Sequence, residues 1–147
     1  MDACKHIQGW LNKGLRGPAV SVNISGRQFA YNGFIGDLEK LLQEYTFDRR
    51  YLQLELTESV LMHNVQGHLT LLKRIREMGL KLSLDDFGTG YSSLSYLSRF
   101  PIDELKVDRS FVRRLTLEGI DVAGPLVVAI IAMARALGMK VVAEGVE

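Results

Sequence analysis

Short aliphatic runs alternate with helical stretches along the whole chain, nearly every run has one aliphatic and one polar face, and the runs end on polar, mostly acidic, groups. Together these observations predict an α/β fold of the TIM-type (β/α)8 barrel kind, here a partial barrel of about five parallel strands with intervening helices. Strand and helix alternating at this spacing make parallel units joined by right-handed crossovers. A doubly wound open sheet is the competing architecture, but its central strands are covered on both faces and read as apolar throughout. The strands here do not, which favours a barrel with aliphatics turned out to the helices and polar groups turned in. A full barrel usually takes about 250 residues; with 147 the chain is expected to be a fragment of one or an incomplete fold with open strand edges.

In chain order, Ile7, Trp10 and Leu11 recur at helical spacing over Asp2 to Leu11, and GlyLeuArgGlyPro from Gly14 breaks the pattern. Ala19 to Ile24 reads as the first strand, with Ser21 and Asn23 alternating against Val20, Val22 and Ile24. Phe34 to Tyr45 reads as a helix, and Tyr51 to Thr57 as a strand with Leu54 and Leu56 opposite Gln53, Glu55 and Thr57. Leu69 to Met78 has helical periodicity and stops at Gly79. Leu80 to Leu84 is the third strand, Tyr91 to Leu97 a short helix, and Glu104 to Asp108 the fourth strand. Val122 to Leu137 is a strongly apolar helix in which Pro125 is tolerable if it falls in the first turn. Gly138 ends it and Lys140 to Ala143 forms the fifth strand. No linker or low-complexity tract divides the chain.

Composition sets the outer limits. At 47% hydrophobic and 24% charged the chain has a globular profile, and a net charge of +1 gives no electrostatic reason to expect a DNA or RNA polymer or an anionic membrane as partner. Cys4 stands alone, so neither an internal disulfide nor a CysxxCys motif exists; a reducing cytoplasm fits. The start lacks the features of a secretion signal, and the longest apolar stretch, Leu126 to Ala134, is short of the roughly 20 residues a membrane helix needs.

The chemistry gathers at the strand ends: Asn23, then Glu55 with Glu58, then Asp85 and Asp86, then Lys106 with Asp108, then Glu144 with Glu147. Adjacent aspartates repel unless a cation, a proton or hydrogen-bond donors compensate them. AspAsp before a glycine loop is also a common turn, and a strand-end Asn a common turn residue, but five strands each delivering a polar group to one rim make a site. Its oxygen-rich character suits hard divalent cations such as Mg²⁺ or Mn²⁺, with room for two. Lys106 on a strand is costly to bury unpaired; it either serves such a cluster or forms a buried ion pair with Asp108. His6, His63 and His68 lie at no metal-ligand spacing and read as surface or packing residues. Trp10 and Phe100 read as core or interface aromatics, Cys4 as a small buried hydrophobe, and Arg109, Arg113 and Arg114 as a solvated or dinucleotide-facing cluster.

ValAsnIleSerGlyArgGlnPhe (22 to 29), GluLeuThrGluSer (55 to 59), AspAspPheGlyThrGlyTyrSerSer (85 to 93), LysValAspArgSerPhe (106 to 111) and AlaGluGlyValGlu (143 to 147) resemble, in order and spacing, the successive signatures of EAL domains, bacterial phosphodiesterases for cyclic di-GMP built as barrels. The resemblance implies that residues 1–147 form a single partial EAL domain, without the first strand, whose glutamate completes the metal site, and without the last strands. It implies Asn23, Glu55, Asp85 and Asp86 as metal ligands, with Asp85 bridging two ions, and Lys106 and Glu144 as catalytic groups. Glu58, Asp108 and Glu147 would support them, with Glu58 tethering the loop from Phe87 to Tyr91, and Arg27, Gly88 and Thr89 would contact the substrate. It further implies hydrolysis of cyclic di-GMP to linear pGpG, homodimer contacts through the loop after Asp86, and linkage to sensory or diguanylate cyclase domains in a longer chain. A catalytically inactive relative that binds cyclic di-GMP or a protein partner is the alternative, and a carboxylate and lysine barrel enzyme acting on carbon acids a remote third.

Overall fold

The structure, a computed structural model, describes residues 2–88 and 94–146. Five strands, β1 (Val20–Asn23), β2 (Leu52–Thr57), β3 (Lys81–Phe87), β4 (Glu104–Val107) and β5 (Lys140–Ala143), make one parallel sheet in sequential order, β1-β2-β3-β4-β5. Sequential order with helical crossovers is barrel topology. The sheet is the five-strand portion of such a barrel, with β1 and β5 as its edges.

Register explains why the two strand faces differ. Val22 is paired with Leu54, Leu54 with Leu82, Leu84 with Leu105 and Leu105 with Val141, so the aliphatic rows line up across all five strands on the helix-covered face. Leu54, Leu56, Leu82, Leu84 and Leu105 are all buried there. The polar row, Asn23 beside Glu55 and Glu55 beside Ser83, runs along the other face. A one-residue slip would exchange the rows, so burial specifies the pairing.

Eight helices flank the strands among the described residues: α1 (Asp2–Asn12), α2 (Gly26–Phe29), α3 (Phe34–Gln43), α4 (Glu58–His63), α5 (Val65–Glu77), α6 (Leu94–Leu97), α7 (Arg109–Glu118) and α8 (Ile120–Ala136). Helix α1 packs on β1 and β2 through Cys4 and Ile7, α3 inserts Ile35, Leu38 and Leu42, and α5 inserts Leu72 and Ile75. Cys4 is thus core, and burial pushes its thiol pKa up. Phe100 is core as well, whereas Trp10 is 46% exposed and stacks on His6 at 6.0 Å between centroids. His68 is a packing residue, edge-on to Phe29 and hydrogen-bonded through Nδ1 to the Leu61 carbonyl.

Three helices lie where no helix is expected from periodicity, and two of them, α2 and α7, are explained by side-chain caps at their first residues. For α2, the Ser25 side chain accepts from Gln28 N while the Gln28 side chain accepts from Ser25 N, a reciprocal cap that sustains one turn. Asp108 caps α7, taking the Ser110 N–H at 2.9 Å, and α4 begins directly after β2 at Glu58. Helix α5 starts at Val65, four residues before the periodic pattern, because the Asn64 side chain accepts from Gly67 N. Helix α8 begins at Ile120 rather than Val122, so Pro125 is its sixth residue and lies past the first turn. Of the expected helix at Tyr91 to Leu97, residues 91–93 lie outside the described residues.

Leu84 is fully buried at the centre of β3, between β2 and β4. Replacing it by alanine is expected to cost about 2–5 kcal/mol of unfolding free energy in urea titration, with an unchanged denaturant slope.

Candidate active site

The largest departure from sequence expectation lies in β3. Instead of stopping at Leu84, the strand continues to Phe87, and its register against β4 shifts between Leu84 and Phe87. Consecutive strand residues point to opposite faces, which would send one of Asp85 and Asp86 into the helix-covered core. The irregularity prevents this: Asp86 takes φ +54, the only non-glycine residue with positive φ among the described residues, and both side chains turn to the polar face. Oxygens of Asp85, Asp86 and Glu144 then lie within 4.8 Å of one another. Phe87, buried on the aliphatic side and paired with Val107, pins the far end of the bulge.

Lys106 stands in the middle of this face. Its Nζ is 3.3 Å from Glu55 Oε2, 3.1 Å from Asp85 Oδ1 and 2.5 Å from Glu144 Oε1, so one ammonium joins carboxylates of β2, β3 and the end of β5. Burial alone would lower the Lys106 pKa; hydrogen bonds from the ammonium to Glu144 and Asp85 and the charge of Glu55 outweigh it and hold the group above its usual value. The alternative pairing with Asp108 is not what forms, because Asp108 caps α7 instead. A hydrogen bond from the Ser110 side chain, and to a lesser degree the one from its backbone N–H, keep the Asp108 carboxyl below the ordinary carboxylate value against the opposing effect of burial.

Asp86 shows the opposite shift. Burial, with the charges of Asp85, Asp108 and Glu144, raises its pKa, and Lys106 only partly compensates. Among the described residues Lys106 is the cation seen to pair with Glu55, Asp85 and Glu144, with Asp86 close by, and a divalent ion bound through oxygen ligands would neutralise further negative charge there.

Other predicted residues take definite places around this centre. Asn23 ends β1 directly beside Glu55 in register and is exposed at the rim. Glu58, 2% exposed at the start of α4, accepts the Gly88 N–H on Oε2 at 3.0 Å, and its Oε1 is buried without a hydrogen-bond partner among the described residues. Gly88 has φ +98, and a Cβ there would lie 2.5 Å from the Phe111 ring. Arg27 is exposed on α2, apart from the ion pairs around Lys106. Thr89, Glu147 and most of the segment from Phe87 to Tyr91 lie outside the described residues.

Deeper in the same face, sequence reasoning missed a second polar layer. Glu104 Oε1 accepts from Gln53 Nε2 at 2.7 Å and from Ser83 Oγ at 3.4 Å, which joins β2 and β3 to the start of β4. The register, which places Ser83 beside both Glu55 and Glu104, brings these groups together; strand alternation alone marked their face but not their partners.

Removing the Lys106 charge leaves Glu55 and Asp85 facing each other across a face where their side chains are only 8% and 14% exposed. Lys106→Met is expected to lose about 3 kcal/mol of stability at pH 7 in urea unfolding. Because the folded-state pKa is raised above 10.5, the wild-type advantage is fully present below that pH and is lost as pH rises through the folded value; it also shrinks below about pH 4, where the carboxylates protonate. An unchanged difference at pH 3 would show that these ion pairs are not its source.

Comparison with known proteins agrees with this geometry. The EAL domain family model matches residues 1–147. MucR of Pseudomonas aeruginosa, a bifunctional diguanylate cyclase/cyclic di-GMP phosphodiesterase, is 42% identical over 146 residues, which is 99% of this chain and 21% of MucR. PdeR of Escherichia coli, a cyclic di-GMP phosphodiesterase, is 44% identical over 147 residues, all of this chain and 22% of PdeR. The chain thus spans about a fifth of the length of these curated relatives. The solved MucR phosphodiesterase in complex with c-di-GMP superposes with a TM-score of 0.91 at 40% identity, over 99% of this chain and 58% of that one. BlrP1 of Klebsiella pneumoniae, solved as a manganese and c-di-GMP complex, gives 0.76 at 31% identity over 96% of this chain and 35% of that one. With a match from the first residue to the last and a carboxylate cluster at its strand ends, the chain belongs to the EAL domain family.

Proposed function

We propose that this domain is a metal-dependent phosphodiesterase that hydrolyses cyclic di-GMP to linear pGpG in bacterial second-messenger signalling. The observation that carries the reading is the cluster of Asp85, Asp86 and Glu144, all oxygen ligands within 4.8 Å, next to a lysine already paired with three carboxylates. Relatives named as cyclic di-GMP phosphodiesterases and neighbours solved with c-di-GMP and manganese support the same substrate and metal class.

The residues present fit Mg²⁺ or Mn²⁺. Asn23, Glu55, Asp85 and Asp86 would hold two ions, with Asp85 shared between them and a further glutamate supplied from the strand that carries the family's EAL motif. Once bound, the ions lower the pKa of the attacking water and offset the charge that develops on phosphorus. Lys106, a permanently charged donor at neutral pH, orients that water and stabilises a phosphate oxygen. Glu144 is the more accessible partner of Lys106, its side chain 29% exposed, and takes the proton as general base. The new P–O bond replaces the bond to the 3′ oxygen of one guanylate, which leaves with a proton, so the ring opens without any redox change.

Arg27, Gly88 and Thr89 would contact the dinucleotide, and Glu58, Asp108 and Glu147 would keep the surrounding segments in place. Residues 1–147 are read as one partial EAL domain that works in the cytoplasm as a homodimer joined through the segment after Asp86, linked to sensory or diguanylate cyclase domains in a longer chain. Among the described residues no helix is long and apolar enough to cross a membrane.

Incubation with Mn²⁺ and cyclic di-GMP, followed by chromatography for pGpG, tests the proposal. Asp85→Asn is expected to abolish product, and Glu144→Gln to lower kcat roughly 10²–10⁴-fold with little change in KM. Tight binding of the dinucleotide by the wild type with no pGpG formed would overturn the enzymatic reading in favour of a binding module.

A further inference from the structure

Two glycines lie just beyond the clustered carboxylates, and both are in close contact with the first turn of one helix. Gly88 follows Asp86 by two residues, and a Cβ there would lie 2.5 Å from Cζ and 2.6 Å from Cε2 of Phe111. Gly145 follows Glu144, and its Cβ would lie 2.9 Å from Cβ of Arg109. Both positions have positive φ, +98 and +69, so each backbone adopts a conformation that the contact and the glycine make possible together.

The first turn of α7 is itself fixed from below. Asp108 follows β4 and caps the turn through Ser110 N, the Phe111 N–H donates to the Asp108 carbonyl, and Val107 is paired with both Phe87 and Ala143. The turn therefore rises between the ends of β3 and β5, the two strands that deliver the acidic groups. On the β3 side, the Gly88 N–H is held by Glu58 from one direction while the Phe111 ring edge fills the space over its Cα. Gly88 is two residues from Asp86, whose φ is +54, so the ring that packs on Gly88 also limits how far the backbone after Asp86 can relax.

We propose that Phe111 is a positioning residue for the aspartate pair: its ring clamps Gly88 against Glu58 and so keeps the bulged backbone from returning Asp86 to ordinary strand geometry. The contact through which Phe111 acts is with the Gly88 backbone. Its metal-binding consequence rests on the proposed function, but its effect on Gly88 does not.

Amide exchange of metal-free protein by NMR tests the clamp directly. In Phe111→Ala the Gly88 amide is expected to exchange at least about tenfold faster while the amides of Leu54 and Leu82 in the sheet keep their protection, the pattern of a local opening. Phe111→Tyr should restore wild-type exchange, and Phe111→Leu, which retains bulk without the ring edge, should fall between and serves if the alanine variant does not fold. Unchanged Gly88 exchange in a folded Phe111→Ala or Phe111→Leu protein overturns the proposal. Free Mn²⁺ measured by electron paramagnetic resonance supplies the second readout: weaker binding in Phe111→Ala, rescued in Phe111→Tyr, extends the clamp to the metal ligands. Wild-type protein that binds no Mn²⁺ would instead overturn the metal reading, and the Gly88 exchange would still decide the role of Phe111.

Discussion

One ammonium organises the polar face of this sheet. Lys106 meets Glu55, Asp85 and Glu144, which come from β2, β3 and the end of β5, so its ion pairs cross-link strands that hydrogen bonding alone joins only to their neighbours. A lysine in that position would be a liability in an apolar interior; here it offsets part of the carboxylate charge and at the same time fixes where that charge sits. The acidic excess that remains is not a defect of the fold. It is the electrostatic condition for holding a divalent cation, and the aliphatic rows on the opposite face supply the stability that tolerates it.

Much of this was legible from residue order. Alternating faces in ValSerValAsn and LeuGlnLeuGluLeuThr predicted both the parallel sheet and the side on which Asn23 and Glu55 lie, since period-2 alternation maps directly onto the two faces of a strand. Lys106 was also marked as anomalous by its place inside a strand. What could not be read was anything that depends on pairing between distant segments. The Gln53–Ser83–Glu104 layer needs three registers at once, and the choice of Glu144 and Asp85 over Asp108 as Lys106 partners depends on a helix cap at Asp108 competing for that carboxylate.

The helices missed by periodicity share a cause. Helix α2 is four residues long and α4 six, too short for a 3.6-residue repeat to show, and each starts within three residues of a strand end; a capping box sustains α2, whereas α4 has no side-chain cap. Helix α7 has an amphipathic pattern but carries three arginines within six residues in ArgSerPheValArgArg, which reads as a surface loop until Asp108 is recognised as its cap. Short elements at the rim are also those that surround the candidate site, so local hydrogen bonds at caps, more than hydrophobic patterning, set the shape of the site's mouth.

The bulge in β3 has a consequence for how the two aspartates can be probed. Asp85 and Asp86 are chemically identical neighbours, yet Asp85 has ladder geometry beside Thr57 and Asp86 sits in left-handed backbone. Asparagine and aspartate tolerate that region better than other side chains with a Cβ. At Asp86, then, an asparagine reports on charge, whereas an alanine or a β-branched residue reports on charge and backbone together. A substitution scan that treated the pair as equivalent would assign to ligand chemistry a loss that belongs partly to a single dihedral angle.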